Sequence, residues 1–222
     1  MASRREEKYL LTYSEYSRIA ARIRSVMQPD VNGIGGEYSI CSLYFDDRYD
    51  TALDEKESGL PEHIKFRIRT YSGTDGVIKL ERKTKRGIVT EKSSIGITRD
   101  ELASICSGGS VDSDSKCFAL VTELRSRGFY PVISVRYDRE AFWHPGSDVR
   151  VTFDKNIDAL SADTENLFGA ELGTVPAVPR ETIIMEIKYG EKCPSFVRKC
   201  CSIDGMQLSV SKYALCRAVA PK

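Results

Sequence analysis

The cations between Glu62 and Lys92 are spaced for one kind of chemistry. The stretch reads EHIKFRIRTY, then GVIKLERKTKRG, then IVTEKSSI. With the two-residue period of a strand, Lys65, Arg67 and Arg69 fall on one face, and Ile64, Phe66 and Ile68 on the other. The next run repeats the design. Lys79, Glu81, Lys83 and Lys85 share a face opposite Ile78 and Leu80, and Gly87 marks the turn into a third strand carrying Lys92. Like charges side by side on paired strands repel, so such a face is costly unless an anion sits against it. Arginines clamp phosphate with two parallel hydrogen bonds, and lysines act as mobile point charges. The chemistry implied is the binding of a polyanion on a sheet.

Four further runs with strand periodicity add charged faces. Glu6 and Lys8 share one within residues 4–10, and Tyr137 and Arg139 share one within 130–143. Arg150, Thr152 and Asp154 lie together within 148–154, as do Ile184, Glu186 and Lys188 within 182–189. Between these strands the pattern turns helical. Thr12 with Glu15 predicts a capping box, and Tyr16, Ile19, Ala20, Ile23, Val26 and Met27 then recur at helical spacing. Shorter helices are expected within 46–58, 98–104, 117–128 and 194–218, with loops at 107–115 and 169–179. With an apolar strand over residues 38–45, the sum is about eight strands with inserted helices and no alternating strand–helix–strand rhythm, which predicts an antiparallel sheet. The expected fold is α+β, one domain over residues 1–222. It is an eight-stranded antiparallel β-barrel with a charged interior, decorated by helices on its apolar outside.

Composition narrows the function classes. Net charge is only +1, so a strong positive field must come from cations gathered in one place. The seven cysteines are odd in number and lack C-x-x-C spacing, which predicts reduced packing thiols rather than a disulfide framework or a zinc site. His63 and His144 are too far apart in sequence to suggest a metal or Cys–His pair. The glycines at 33, 35 and 36 lack the trailing Gly-Lys-Ser/Thr of a P-loop. No run of eighteen apolar residues is present, and the start MASRREEKYLL lacks a signal-peptide core, so a cytoplasmic location is expected. A nucleic-acid platform would place aromatics among the cations, but Phe66 lies opposite Lys65, Arg67 and Arg69, with only Tyr71 beside them. No nucleic-acid partner is expected.

Seven motifs in order carry a family resemblance. They are Arg4-x-Glu6-x-Lys8-Tyr9, Ser42-Leu43-Tyr44-Phe45-Asp46, Lys65-x-Arg67-x-Arg69-x-Tyr71, Lys79-x-Glu81-x-Lys83, Tyr137-Asp138-Arg139, Met185-Glu186-Ile187-Lys188 and Ser211-Lys212-Tyr213. Together they resemble the VTC domain, the polyphosphate polymerase branch of the triphosphate tunnel metalloenzymes, within the CYTH-like superfamily. The resemblance implies an eight-stranded triphosphate tunnel that binds ATP and inorganic polyphosphate with Mn2+ or Mg2+ and moves the γ-phosphoryl of ATP onto the chain. It implies phosphate ligands at Lys8, Arg67, Arg69, Lys83, Lys92, Arg139 and Lys212, Tyr137 beside them, and a metal-binding carboxylate at Glu186. Lys65, Arg150 and Lys188 join the phosphate set through the faces they share, and Glu6 and Glu81 are further carboxylates within reach of a metal. Two departures stand out. Arg4 replaces the first glutamate of the superfamily's opening Glu-x-Glu-x-Lys, and His63 stands where an arginine is expected. Some relatives of the family are membrane-embedded, so a membrane partner is compatible with the resemblance.

Phosphoryl transfer needs aligned groups and stabilised oxygen charge, which Lys, Arg and a divalent ion supply. Extending an anionic chain end needs no general base, whereas hydrolysis needs an activated water. With inward acids limited to Glu6, Glu81, Asp154 and Glu186, the sequence favours transfer. A metal-dependent tri- or polyphosphate phosphohydrolase and a non-catalytic polyphosphate-binding module are the alternatives.

Overall fold

The computed structural model describes residues 5–33, 35–72, 76–87, 89–202, 207, 209 and 211–220. The chain runs β1 (Arg5–Leu11), α1 (Tyr13–Arg24), β2 (Gln28–Pro29), β3 (Glu37–Asp46), α2 (Thr51–Glu57), β4 (Glu62–Tyr71), β5 (Lys79–Arg86) and β6 (Val89–Gly96). It continues through α3 (Arg99–Ser107), α4 (Phe118–Ser126), β7 (Tyr130–Trp143), β8 (Arg150–Leu160), β9 (Val175–Pro176), β10 (Ile183–Tyr189), α5 (Ser195–Cys200) and α6 (Lys212–Val219). A 3-10 turn at Thr164–Phe168, which periodicity does not predict, is capped by Asp163. The Arg4 departure lies outside the described residues.

Local chemistry sets the helix starts. The Thr12 hydroxyl accepts from the Glu15 amide at 3.3 Å, and the Glu15 carboxylate accepts from the Thr12 amide at 2.8 Å. This reciprocal box satisfies two otherwise orphaned donors and starts α1 where Tyr16, Ile19, Ala20 and Ile23 can be buried. Thr98 and Glu101 repeat it at α3. Thr12→Ala is expected to cost about 1 kcal/mol and to lower the melting temperature by roughly 2–4 °C in a calorimetric scan.

The eight long strands lie in the hydrogen-bonded order β1-β10-β8-β7-β3-β4-β5-β6, with β2 on β7 and β9 on β8. The pairs with defined register are antiparallel. The strand direction and long-strand number agree with the sequence reading. The closed eight-stranded barrel does not: the sheet has ten strands, and among the described residues β1 and β6 end the order without pairing to each other. Both end strands are charged. β6 is exposed at all but two of its positions and carries Glu91 and Lys92, and β1 carries Arg5, Glu6, Glu7 and Lys8. A charged strand tolerates a free edge, and alternation along a sequence fixes faces without encoding closure.

Backbone contacts divide the chain into two compact units. The first comprises residues 1–39, 137–157 and 178–211, the second 40–136, 158–177 and 212–222. In the first, Ile19, Ala20 and Ile23 of α1 and Val197 of α5 pack with Leu11, Val151, Phe153, Ile183, Met185 and Ile187 of the strands. In the second, Ala52 of α2, Leu102 and Ile105 of α3, and Leu120, Val121 and Leu124 of α4 pack with Leu43, Phe45, Ile64, Phe66, Ile68 and Leu80. Each core uses the strand face opposite the charged one. The hydrophobic effect thus holds the apolar faces under helices and fixes where the cations point. All seven cysteines are free thiols. Among the described residues no helix is long and apolar enough to cross a membrane.

Candidate functional site

In the second unit the register of β4, β5 and β6 gathers the cations into rows. Lys65, Lys83 and Lys92 lie abreast. One step along are Tyr44, Arg67, Glu81 and Ser94, and one step further Ser42, Arg69, Lys79 and Gly96. Glu81 is the carboxylate set among them, and it is 2% exposed. Arg67 grips its Oε2 through Nε at 2.7 Å and Nη2 at 2.6 Å, while Lys92 Nζ reaches its Oε1 at 2.5 Å. Periodicity places Glu81 on a face with Lys79, Lys83 and Lys85; its described partners are Arg67, Lys92 and, through a 3.3 Å hydrogen bond, Ser94.

Burial pushes the Glu81 carboxyl up, but the charges of Arg67, Arg69 and Lys92 outweigh it and bring it down to about 2. A depressed carboxylate contributes stability that is complete above its unfolded value and is lost as pH falls through the folded one. From an ordinary 4.5 to about 2, that contribution is about 3 kcal/mol. Glu81→Gln is expected to remove this acid-side loss, read as a flatter stability curve below pH 4.5 by denaturant titration.

The polar face of β3 supports this cluster. Ser42, Tyr44 and Asp46 alternate with the apolar Leu43 and Phe45 at the end of β3. Ser42 Oγ accepts from Arg69 Nε at 3.0 Å, and Tyr44 Oη accepts from Arg67 Nη1 at 3.0 Å. Asp46 accepts the backbone amides of Ala52 at 2.8 Å and Leu53 at 3.1 Å at the start of α2. It also accepts from Tyr213 Oη at 2.5 Å, which brings α6 onto this face. The Tyr213 ring stacks on Tyr44 with centroids 5.0 Å apart, and Lys65 Nζ sits 5.4 Å from the Tyr213 ring centre. Lys212 is the first residue of α6. These supporting roles of Ser42, Tyr44 and Asp46 were missed from sequence, although a Ser-x-Tyr-x-Asp polar face in a buried strand was the signal for them.

The first unit carries a different cluster. Lys8, Glu186 and Thr152 lie abreast on β1, β10 and β8, with Glu6, Lys188 and Arg150 in the next row. Lys8 Nζ is 2.6 Å from Glu6 and 3.9 Å from Glu186, and Lys188 Nζ is 3.2 Å from Glu186 and 3.9 Å from Glu6. Burial pulls the Lys8 ammonium down, but Glu6 and Glu186 outweigh it and raise it. Arg139 makes a bidentate pair with the fully buried Asp154, at 2.7 and 2.8 Å, and stands 3.8 Å from Glu186. Its guanidinium lies 5.3 Å from the ring centre of the buried Tyr137. Arg150 turns to Asp30 at 2.5 Å and Tyr38 at 2.9 Å, and so stands apart from the described contacts of Glu186.

The structure thus brings Lys65, Arg67, Arg69, Lys83, Lys92 and Glu81 together in one unit, and Glu6, Lys8, Arg139 and Glu186 with Lys188 in the other. His63 is half-buried, with Nδ1 3.4 Å from the Leu60 carbonyl. Burial, then Lys65, Lys85 and Lys56, hold its pKa below the ordinary value, so it adds little positive charge at neutral pH.

The donor chemistry of the first unit fits a small hard cation. Mg2+ and Mn2+ bind through one or two carboxylates together with substrate phosphates, and Glu6 and Glu186 are two carboxylates that share the same two lysines. Among the described residues no group of three or more His, Cys, Asp or Glu side chains forms a ready-made cage. Phosphate oxygens would have to complete the coordination.

The model of the VTC domain family matches residues 3–220. The chain belongs to the VTC domain family. No curated protein matches it. Among solved structures, a putative adenylate cyclase from Bacillus halodurans has a TM-score of 0.52 at 11% identity, covering 86% of this VTC domain and 81% of that chain. The PH1819 protein from Pyrococcus horikoshii OT3 has a TM-score of 0.49 at 14% identity, covering 96% of each chain. At such identities the first likeness is one of fold.

Proposed function

We propose that this VTC domain is an ATP-dependent polyphosphate polymerase that transfers the γ-phosphoryl of ATP to the end of a polyphosphate chain. The observation that carries this reading is the state of the acids on the charged faces. Glu6 is held by Lys8, Glu186 by Lys188, Asp154 by Arg139, and Glu81 by Arg67 and Lys92. None stands free as a general base. An anionic chain end attacks without one, whereas water does not, so these pairings favour transfer over hydrolysis. Arg67, Arg69 and the Lys65, Lys83 and Lys92 row would bind and orient phosphates, offering bidentate clamps beside point charges along which a chain can slide. Lys8, Lys188 and Arg139 would balance charge beside Glu186. Mn2+ or Mg2+, held by Glu186 with Glu6, would neutralise charge developing on phosphate oxygens.

Incubating the protein with ATP and Mn2+ and staining the products on a gel for polyphosphate tests the reading. A ladder of chains is the expected result. ADP with orthophosphate and no chain would establish a phosphohydrolase, and binding of added polyphosphate without turnover would leave a binding module.

A further inference from the structure

We infer that Tyr44 is a further substrate-binding residue, whose phenolic O–H donates to the phosphate oxygen clamped by Arg67. The inference rests on the proposed phosphate substrate and adds a neutral donor to a site otherwise read as cationic. Its basis is a contrast with three other buried tyrosines. Tyr16 donates to Glu140 at 2.7 Å, Tyr189 donates to Glu7, and Tyr213 donates to Asp46 while accepting from Arg217 at 3.1 Å. Each of those hydroxyls has a carboxylate for its proton. Tyr44 Oη accepts from Arg67 Nη1 at 3.0 Å, and its own hydrogen has no acceptor among the described residues. A buried phenol normally finds partners for its hydroxyl, so an unspent donor between two arginines and a lysine points to an acceptor that the protein does not itself provide.

The surroundings define that acceptor as an anion. Tyr44 is flanked by Arg67, Arg69 and Lys65 of β4, with Glu81 of β5 engaged by Arg67 and Lys92. From α6 the neutral Tyr213 stacks on it, and Arg217 is tied to Tyr213 and Asp50, while Asp46 of β3 is occupied by Tyr213 and the start of α2. Burial pushes the Tyr44 phenol up, but the charges of Arg67, Arg69 and Lys65 outweigh it and bring it down to about 8. A more acidic O–H makes a stronger hydrogen bond to phosphate. Above pH 8 the same group becomes a phenolate, which has no proton to donate and repels the ligand. Of the acidic groups beside it, Glu81 lies near 2, and burial with the Asp46 hydrogen bond pushes the Tyr213 phenol well up.

Calorimetric titration with tripolyphosphate in EDTA, at about pH 7 and about pH 9, compares the wild type with Tyr44→Phe. Phenylalanine keeps the ring stacked on Tyr213 and removes only the hydroxyl, and a melting scan verifies folding. The expected result is about tenfold weaker binding by Tyr44→Phe at the lower pH, an alkaline loss of affinity in the wild type, and no such loss in the variant. Equal affinities at both pH values overturn the inference. So does a wild type whose affinity holds to the higher pH, even with a weaker variant, because the hydroxyl would then only steady Arg67. A wild type that does not bind tripolyphosphate refutes the proposed function itself, and the inference with it.

Discussion

Replacing Arg139 with alanine should destabilise the protein by about 3–5 kcal/mol, because it takes a bidentate cationic partner from a buried carboxylate. Asp154 is fully buried and takes both of its described hydrogen bonds, at 2.7 and 2.8 Å, from that guanidinium. Without Arg139 the carboxylate must stay charged in a poorly solvated place or take up a proton, and either course costs free energy. For a chain of this length the melting temperature should fall on the order of 10 °C. The double variant Arg139→Ala with Asp154→Ala should recover much of that loss, since it removes both members of the pair. It should not recover polyphosphate synthesis, because the cation beside Glu186 is still missing. Thermal scans of the wild type, both single variants and the double variant measure the coupling directly. Additive losses, with no recovery in the double variant, would show that the pair is not the stabilising unit described.

The second large effect concerns Glu186, which is 4% exposed and has Lys188 at 3.2 Å, Arg139 at 3.8 Å and Lys8 at 3.9 Å. Glu186→Gln keeps the shape and removes one negative charge from among three cations. Affinity for polyphosphate should therefore hold or increase, because the local field becomes more positive. Turnover should fall about 100-fold if this carboxylate holds the divalent ion, in line with losses at metal-ligand shells. Binding and turnover are thus expected to move in opposite directions, measured by titration with polyphosphate and by ADP release. A parallel fall in both would make Glu186 a structural partner of the lysines, and unchanged turnover would remove it from the chemistry.

How much of this was legible in the sequence differs from one strand to another. The faces of β4 and β5 were readable because Ile64, Phe66, Ile68 and Leu80 alternate strictly with cations, and burying the apolar set leaves the other set no choice of side. The start of α1 was readable because a capping box is a local four-residue device. Side-chain pairings across the fold were not. Asp154 meets Arg139, and Arg150 meets Asp30, through register and side-chain reach that no periodicity encodes. Glu81 shows the limit within a readable face: alternation placed it among the lysines, but the long Arg67 side chain on the facing position of β4 took it. Closure of the sheet also could not be read, because the same alternation serves an open sheet and a barrel. The expectation of a closed barrel came from the count of alternating strands and was repeated by the family resemblance, while the charged β1 and β6 stand as the ends of the strand order.

The central claim is that the cationic rows and their occupied acids serve transfer to a chain rather than to water. It is tested most directly by following ATP, Mn2+ and the protein with phosphorus NMR. The account predicts mid-chain phosphoanhydride signal growing in step with ADP and little orthophosphate. Orthophosphate rising in step with ADP, with no mid-chain signal, would contradict it.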